Sequence, residues 1–149
     1  MEFEDVREDV ERECERIAAA FGATSWTEGY KSIPGDSYFD GSIRGIDVAW
    51  NIQWSNLQLT IVRAGKRDEE GEWEDWCDVQ NEGGIQWRCD FNPEYSEFFA
   101  RALYRLGIED EYVLSQLPEL SAHEKLELRL SMPREFWPQK WLDEDWANC

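Results

Sequence analysis

The chain is short of the residues from which most metal and acid/base sites are built. Its 149 residues include one histidine, His123, and four cysteines. The cysteines form no Cys-x-x-Cys pair, so the sequence lacks the usual spacing of zinc ligands. We interpret Cys14, Cys77 and Cys89 as reduced core residues, and His123 as a surface residue in a polar turn. We therefore expect no metal site and no cofactor.

Nucleophile and phosphate-binding motifs are also missing. No Gly-x-Ser-x-Gly occurs, and the segment 41–45, Gly-Ser-Ile-Arg-Gly, matches neither nucleotide-binding fingerprint. Carboxylate pairs such as Glu74 with Asp75, or Asp36 with Asp40, could serve an acid/base hydrolase or bind a divalent ion. With 33 acidic residues, however, pairs at any spacing arise by chance. We predict that the protein is not an enzyme and keep such a hydrolase as a third reading.

Long hydrophobic runs are absent too. No segment approaches the roughly 18 apolar residues that a membrane-spanning helix needs. The N-terminus, Met-Glu-Phe-Glu-Asp, lacks the basic and apolar regions of a secretory signal. We therefore expect a cytoplasmic protein, of the producing cell or of a host cell. Its length, with 42% apolar and 14% aromatic residues, predicts one globular domain over 1–149.

Positive charge is the scarcest property of the chain. Fifteen Lys and Arg face 33 Asp and Glu, which gives a net charge of −18. Such an excess repels nucleic acid and anionic membranes, so we expect a basic protein partner and no direct binding to either. Eight acids fall within 2–15 and seven within 68–78, whereas 41–66 contains only Asp47. The alternative is that the acidity only keeps a housekeeping protein-interaction domain soluble.

The first acidic block is predicted to be a helix over about 2–21. Apolar residues recur at steps of three and four, and Gly22 ends the pattern; they are Phe3, Val6, Val10, Cys14, Ile17 and Phe21. On the opposite side four carboxylates follow one another at similar steps: Glu4, Glu8, Glu11 and Glu15. Gaps of roughly 5–6 Å would give this row the spacing of backbone phosphates. Arg7 and Arg12 could neutralise part of it by pairing with Glu8 or Glu11.

The middle of the chain predicts an antiparallel sheet over about 37–91. Alternation in 48–54 and 57–61, around a two-residue turn at Ser55 and Asn56, places Trp54 opposite Leu57, Ile52 opposite Leu59 and Trp50 opposite Ile61. The other face carries polar but uncharged groups, covered either by the chain itself or by a partner; they are Ala49, Asn51, Gln53, Gln58 and Thr60. A mobile loop is predicted over 64–71, and a second hairpin over 72–80 and 85–91.

The second acidic block surrounds this loop and the strand after it. We predict a partner-binding surface made of Asp68, Glu69, Glu70, Glu72, Trp73, Glu74, Asp75, Trp76 and Asp78. Trp73 and Trp76 are three residues apart on a period of two, so both cannot point into the core. An exposed tryptophan among carboxylates combines an anchoring side chain with electrostatic steering.

The C-terminal half is predicted to be helical over about 93–117, with Asn92 and Pro93 starting its main helix and a shorter helix over 109–116. Residues 125–132 are ambiguous: Ser121 to Glu124 is a capping box, but the alternating leucines that follow favour a turn and a strand. The Trp-rich acidic tail, 133–149, either packs its aromatic side chains onto the domain or presents them.

The sequence thus predicts an α+β fold: an antiparallel meander of four or five strands, packed against an acidic N-terminal helix and C-terminal helices. In size and composition the chain resembles small immunity proteins that neutralise toxic effectors and anti-defence inhibitors that imitate nucleic acid. That likeness carries over no residues. It implies a stoichiometric inhibitor whose carboxylates occupy a phosphate site on a nuclease, a toxin or a nucleic-acid-guided effector.

Overall fold

The computed structural model describes residues 3–28, 35–82, 86–90, 92–109 and 111–143. The expected α+β architecture is confirmed, with one six-stranded antiparallel sheet in the order β1-β2-β3-β4-β5-β6. The strands are β1 (Trp26–Glu28), β2 (Asp36–Ile43), β3 (Ile46–Gln53), β4 (Gln58–Arg67), β5 (Trp73–Glu82) and β6 (Gln86–Asp90). The helices are α1 (Phe3–Phe21), α2 (Ser96–Arg105), α3 (Glu111–Ser115), α4 (Ala122–Leu130) and α5 (Gln139–Asp143), with a 3-10 turn at Arg134–Phe136. The short edge strand β1 was not anticipated from the sequence.

The hairpin of β3 and β4 confirms the expected pairing only near its turn. Ile52 lies opposite Leu59, but Thr60 of β4 has no partner on β3, and this bulge shifts the register so that Trp50 faces Val62 instead of Ile61. The turn itself takes four residues, 54–57, because Leu57 adopts a φ of 56° and leaves the ladder. The predicted pair of Trp54 with Leu57 is therefore wrong. A bulge inserts one residue into one strand and moves every later side chain to the other face.

The predicted mobile loop over 64–71 is also wrong for its first half. Residues 64–67 continue strand β4, and only residues 68–72 connect it to β5. Gly65 belongs inside the strand because a side chain there would meet the β5 backbone, its Cβ lying 2.6 Å from the Cα atom of Trp76. Glycine thus permits a close strand approach here rather than a flexible loop.

The core lies between the sheet and the helices. From α1, Val10, Cys14 and Ile17 are fully buried, as the helical periodicity predicts. Phe21 packs against Phe99 of α2, with ring centroids 6.1 Å apart. The apolar stripe of α2 contributes its buried members to the same core; they are Phe99, Ala102, Leu103 and Leu106. The side chain of Phe3, also predicted for this stripe, lies outside the described residues.

The C-terminal segment corrects the strand prediction for 125–132. Residues 122–130 form helix α4, and its capping box is made as the sequence indicates: Glu124 N–H donates to Ser121 Oγ, and Ser121 N–H donates to the Glu124 carboxylate. Leu128 and Met132, four residues apart, are buried, whereas Leu130 is 60% exposed. The alternating leucines therefore do not share a face, and the cap decides the structure.

Helix α2 begins at Ser96 rather than at Pro93, because the side chain of Asn92 instead accepts a hydrogen bond from Glu94 N–H in a preceding turn.

In the tail Trp137 and Trp141 are buried, so the expectation that the aromatic side chains pack onto the domain is confirmed for these two. Trp146 lies outside the described residues.

A buried ionic cluster fixes the C-terminal helices to α2. Arg129, 7% exposed, donates to the hydroxyl of Tyr104 and forms a 3.0 Å salt bridge with Glu109. Lys140 pairs with the same carboxylate at 3.0 Å. Burial raises the pKa of Glu109, but Lys140 and Arg129 together outweigh it and hold that pKa below its usual value.

The two cysteines with described side chains are free and buried, as expected. Burial is the largest cause that raises the pKa of Cys14 to about 12 and that of Cys77 to about 11. Burial therefore makes both thiols poor nucleophiles at neutral pH. The side chain of Cys89, and Cys149 altogether, lie outside the described residues. None of the described helices has the length and apolar character needed to cross a membrane.

Candidate functional site

The four glutamates predicted on α1 form an exposed row on that helix. Glu4, Glu8, Glu11 and Glu15 are all solvent-exposed, and the opposite face of the helix is buried in the core. Steps of three and four residues place neighbouring side chains roughly 5–6 Å apart along a helix. We call these four residues the acidic helix face.

The arginines of α1 neutralise this face less than the sequence indicates. Arg7 pairs with Glu4, and this hydrogen bond and attraction raise the pKa of Arg7. The expected pairing of Arg12 with Glu8 or Glu11 is not observed. The guanidinium of Arg12 instead lies over the ring of Phe136, 5.5 Å from its centroid. Arg16, the third arginine of the helix, pairs with Glu13. Most of the negative charge of the acidic helix face therefore remains available to a partner.

The second acidic block divides into exposed and internal groups. Five of its carboxylates are exposed, and we call them the acidic hairpin: Glu69, Glu70, Glu72, Glu74 and Asp75. Asp68 instead organises the turn, because its carboxylate accepts hydrogen bonds from the backbone N–H groups of Glu70 at 2.8 Å and Glu72 at 3.0 Å. The turn is thus held by local hydrogen bonds of the Asx type.

Asp78 cannot serve as a surface carboxylate. It is 3% exposed and forms a 2.7 Å salt bridge with Arg63, while Gln80 donates to the same oxygen at 3.1 Å. The sequence placed Asp78 in the partner-binding surface because its charge continues the acidic run. Its place opposite Arg63 on the neighbouring strand gives it an internal role instead.

Trp73 and Trp76 both avoid the core, and both are half-buried. Glu74 of β5 has no partner on β4, and this bulge, opposite Lys66 and Arg67, breaks the period of two, so that both rings reach the sheet face that carries Arg63. The guanidinium of Arg63 lies 4.9 Å from the ring of Trp76 and 5.6 Å from that of Trp73. Arg67 stacks on Trp73 at 4.3 Å. The tryptophans are therefore anchored by cation–π contacts and are only partly available to a partner.

These arginines belong to a network that sequence reasoning missed. We call it the arginine face: Arg63 and Arg67 of β4, Asp40 of β2, and Asp78 and Trp73 of β5. Arg67 donates to the Asp40 carboxylate at 2.7 Å, across the intervening strand β3. The available signal was the spacing of Arg63 and Arg67 by four residues, which puts both on one side of a strand. Their partners lie 15 to 27 residues away, so the pairing needed the strand register.

The polar, uncharged face predicted on β3 and β4 adjoins the arginine face. Asn51 is buried, whereas Ala49, Gln53, Gln58 and Thr60 are half-buried. Asn51 donates to Thr60 Oγ1 at 2.8 Å and lies 3.5 Å from an Asp36 oxygen. A cavity of about 310 Å³ opens on this side of the sheet, between Tyr38, Asn51, Arg67 and Trp73.

Within the described residues, no three His, Cys, Asp or Glu side chains converge in a way that could hold a metal ion. Comparisons with protein families, with curated proteins and with solved structures find no match to this chain.

Proposed function

We propose that the protein is an acidic, stoichiometric inhibitor that binds a basic, nucleic-acid-binding protein and blocks its nucleic-acid site. The observation that carries this proposal is the acidic helix face, an exposed row of four carboxylates with roughly one helical turn between neighbours. A site built for phosphates presents Lys and Arg at similar intervals. Carboxylates at this spacing are suited to replace the phosphates there.

The rigidity of α1 supports this role. Val10, Cys14 and Ile17 on its inner face are fully buried, so the helix is fixed to the sheet along much of its length. A charged row on a fixed helix loses little conformational entropy on binding beyond that of its own side chains. A flexible acidic tail of equal charge would lose more.

The acidic hairpin supplies a second source of negative charge beside aromatic side chains. Glu74 and Asp75 are exposed between Trp73 and Trp76, both half-buried. In a protein interface, charged groups accelerate the encounter while partly exposed aromatic rings slow dissociation. The net charge of −18 also favours a partner with a basic surface over nucleic acid itself.

The experiment is a capture followed by a competition. Tagged protein is used to isolate partners at low and at moderate salt, and each captured protein is then assayed with labelled nucleic acid. The proposal expects a basic nucleic-acid-binding protein that is retained less at moderate salt. It also expects the wild-type chain to displace the labelled nucleic acid from that protein.

A matched variant tests the contribution of the acidic hairpin. Replacing Glu69, Glu70, Glu72 and Glu74 with Gln keeps size and hydrogen bonding but removes four charges, and it leaves the turn-forming Asp68 in place. Displacement of nucleic acid should then require a higher concentration of the variant. Equal competition by both proteins would exclude the acidic hairpin from the interface. Partners that neither bind nucleic acid nor respond to salt would contradict the proposal and favour the solubility reading.

A further inference from the structure

The cavity on the arginine face lies above Ala49, a small residue among larger ones. Ala49 of β3 faces Asp40 on β2 and Arg63 on β4, and the surrounding side chains enclose about 310 Å³. Val62 and Ala64, on either side of Arg63, are fully buried in the core. Because side chains alternate along a strand, the cavity is on the sheet face away from the core.

Apolar groups form much of the lining of this cavity. Tyr38 of β2 and Ile61 of β4 line it together with Ala49 of β3, and all three residues are half-buried. Trp73 lines it as well, but Arg67 lies over the ring of Trp73, 4.3 Å from its centroid. The apolar contact available to another molecule is therefore made by Tyr38, Ala49 and Ile61.

The charged groups around the cavity already have partners. Arg63 pairs with Asp78 and Arg67 pairs with Asp40, both at 2.7 Å. The Nε atoms of both arginines and the Oδ1 atom of Asn51 are buried, so a ligand cannot reach them. A polar ligand would give up hydrogen bonds to water and gain few in return, which is unfavourable. The cavity therefore favours an apolar group.

An acidic groove adjoins the cavity at Arg67, which lines both. The lining of the groove carries four carboxylates against two cations; they are Asp68, Glu69, Glu70 and Glu74, with Lys66 and Arg67. Since Arg67 is already paired with Asp40, the groove has an excess of negative charge. Such a groove attracts positively charged side chains.

We propose that the cavity and the acidic groove together bind a short segment of the basic partner. One large apolar side chain of that segment enters the cavity, and neighbouring Lys or Arg side chains lie in the groove. Protein interfaces commonly combine an apolar centre with a polar rim in this way. The inference rests on the proposed function for the basic character of the partner, and it adds the place where the partner is anchored.

The probes are end-blocked peptides titrated into the full chain at low salt: Lys-Lys-Phe-Lys-Lys, Lys-Lys-Ser-Lys-Lys and Glu-Glu-Phe-Glu-Glu. The basic Phe peptide should bind roughly tenfold more tightly than the Ser peptide, because only the phenylalanine ring gains from burial in the cavity. The acidic peptide should not bind measurably. N-acetylphenylalanine amide, which lacks the lysines, should bind more weakly than the basic Phe peptide.

The outcomes separate this inference from the proposed function. Equal binding of the Phe and Ser peptides would overturn the inference, but it would leave intact the preference for basic over acidic peptides, on which the proposed function depends. Loss of that preference as well would contradict both. Equal binding of N-acetylphenylalanine amide and the basic Phe peptide would remove the role of the groove and overturn the inference.

Two variants and one control localise the apolar contact. Ala49→Leu fills the cavity and should abolish the preference for Phe over Ser, with folding checked by circular dichroism. Ile61→Ala removes part of the wall and should reduce that preference by roughly threefold. Leu130→Ala shortens an apolar side chain that is 60% exposed elsewhere, so it should keep the wild-type preference. A full preference in a folded Ala49→Leu or in Ile61→Ala would refute the assignment.

A third variant tests the groove. Replacing Glu69, Glu70 and Glu74 together with Gln should weaken both basic peptides by the same factor and leave the ratio between them unchanged. Unchanged binding of the Ser peptide would exclude the groove and overturn the inference.

A second copy of this chain is disfavoured as the occupant, because each copy carries a net charge of −18. Sedimentation velocity of the wild type and of Ala49→Leu checks this point, and both should be monomeric. Self-association of the wild type that Ala49→Leu abolishes would assign the cavity to a second copy and overturn the proposal.

Discussion

The bulge in β4 leads to a prediction that separates the observed strand register from the one that alternation alone indicates. Val62 is fully buried opposite Trp50, while Ile61 is only half-buried. In the unbulged register Ile61 would occupy the core position and Val62 would point to the other face. Replacing each residue with Ala in turn therefore measures which one is packed inside.

The magnitudes follow from the carbon atoms lost and the cavity left. Val62→Ala removes two buried methyl groups, worth about 0.8 kcal/mol each, and leaves a cavity, so we expect a loss of roughly 2–3 kcal/mol in the free energy of unfolding. Ile61→Ala removes more carbon but at a half-buried site, so we expect a loss of about 1 kcal/mol or less. The larger truncation should therefore cause the smaller loss.

The assay is urea denaturation followed by circular dichroism, with the slope m compared among the proteins so that the stabilities are comparable. Leu130→Ala serves as a control, because Leu130 is 60% exposed and its truncation should cost little. A larger loss for Ile61→Ala than for Val62→Ala would refute the bulged register. It would also place the Arg63 side chain on the core side of β4, because Ile61 and Arg63 are two residues apart.

Three further predictions concern stability and reactivity. Trp50→Ala should lower the free energy of unfolding by roughly 3–5 kcal/mol, and a loss below about 1 kcal/mol in urea denaturation would show that the ring is not in the core. Glu109→Gln should destabilise the protein at pH 7 because it leaves Arg129 with a weaker partner. Folding lowers the pKa of Glu109, so the wild type should exceed the variant in free energy of unfolding by its full margin above about pH 4.3. That margin should shrink as the pH falls through the pKa of the folded state. A margin that stays constant with pH in denaturation experiments would contradict this prediction. With Cys89 and Cys149 replaced by Ser, Cys14 and Cys77 should react with a thiol reagent at pH 8 only after unfolding, and rapid native reaction would show that they are accessible.

Elements with one strong periodic pattern were predictable from the sequence. The stripe of Val10, Cys14 and Ile17 identifies both the helix and its buried face, and the Glu residues opposite are exposed as expected. Gly22 and Gly107, each with a positive φ, mark the ends of α1 and α2. In these places local conformational preference and burial agree, so the pattern alone is sufficient.

The structure differs from the sequence-based predictions where an unpaired residue shifts the alternation of a strand, or where a short apolar pattern fits both a strand and a helix. The bulges at Thr60 and Glu74 cannot be read from alternation, because nothing in the sequence marks either residue as the unpaired one. In α4 a period of two favoured a strand, but the capping box of Ser121 and Glu124 and the burial of Leu128 produce a helix. Short apolar patterns do not distinguish the two structures.

The candidate sites were likewise predictable only where they depend on local sequence. Charge and helical spacing identify the acidic helix face, because both are local properties of the sequence. The internal role of Asp78 and the stacking of Arg63 and Arg67 on Trp73 depend on which strands are neighbours and in what register. Such contacts join residues that are distant in the sequence, so they require the folded sheet.

The most direct test of the inhibitor proposal is the association rate with the captured basic partner at low salt. Glu8, Glu11 and Glu15 on the acidic helix face are changed together to Lys, and a control carries Lys at Glu111, Glu119 and Glu127, which are exposed elsewhere. Both variants have the same net charge. If the acidic helix face is the binding surface, only the first should associate more slowly, by roughly tenfold or more, and added salt should reduce the difference. Equal rates for the two variants would contradict the proposal, because net charge alone would then account for binding.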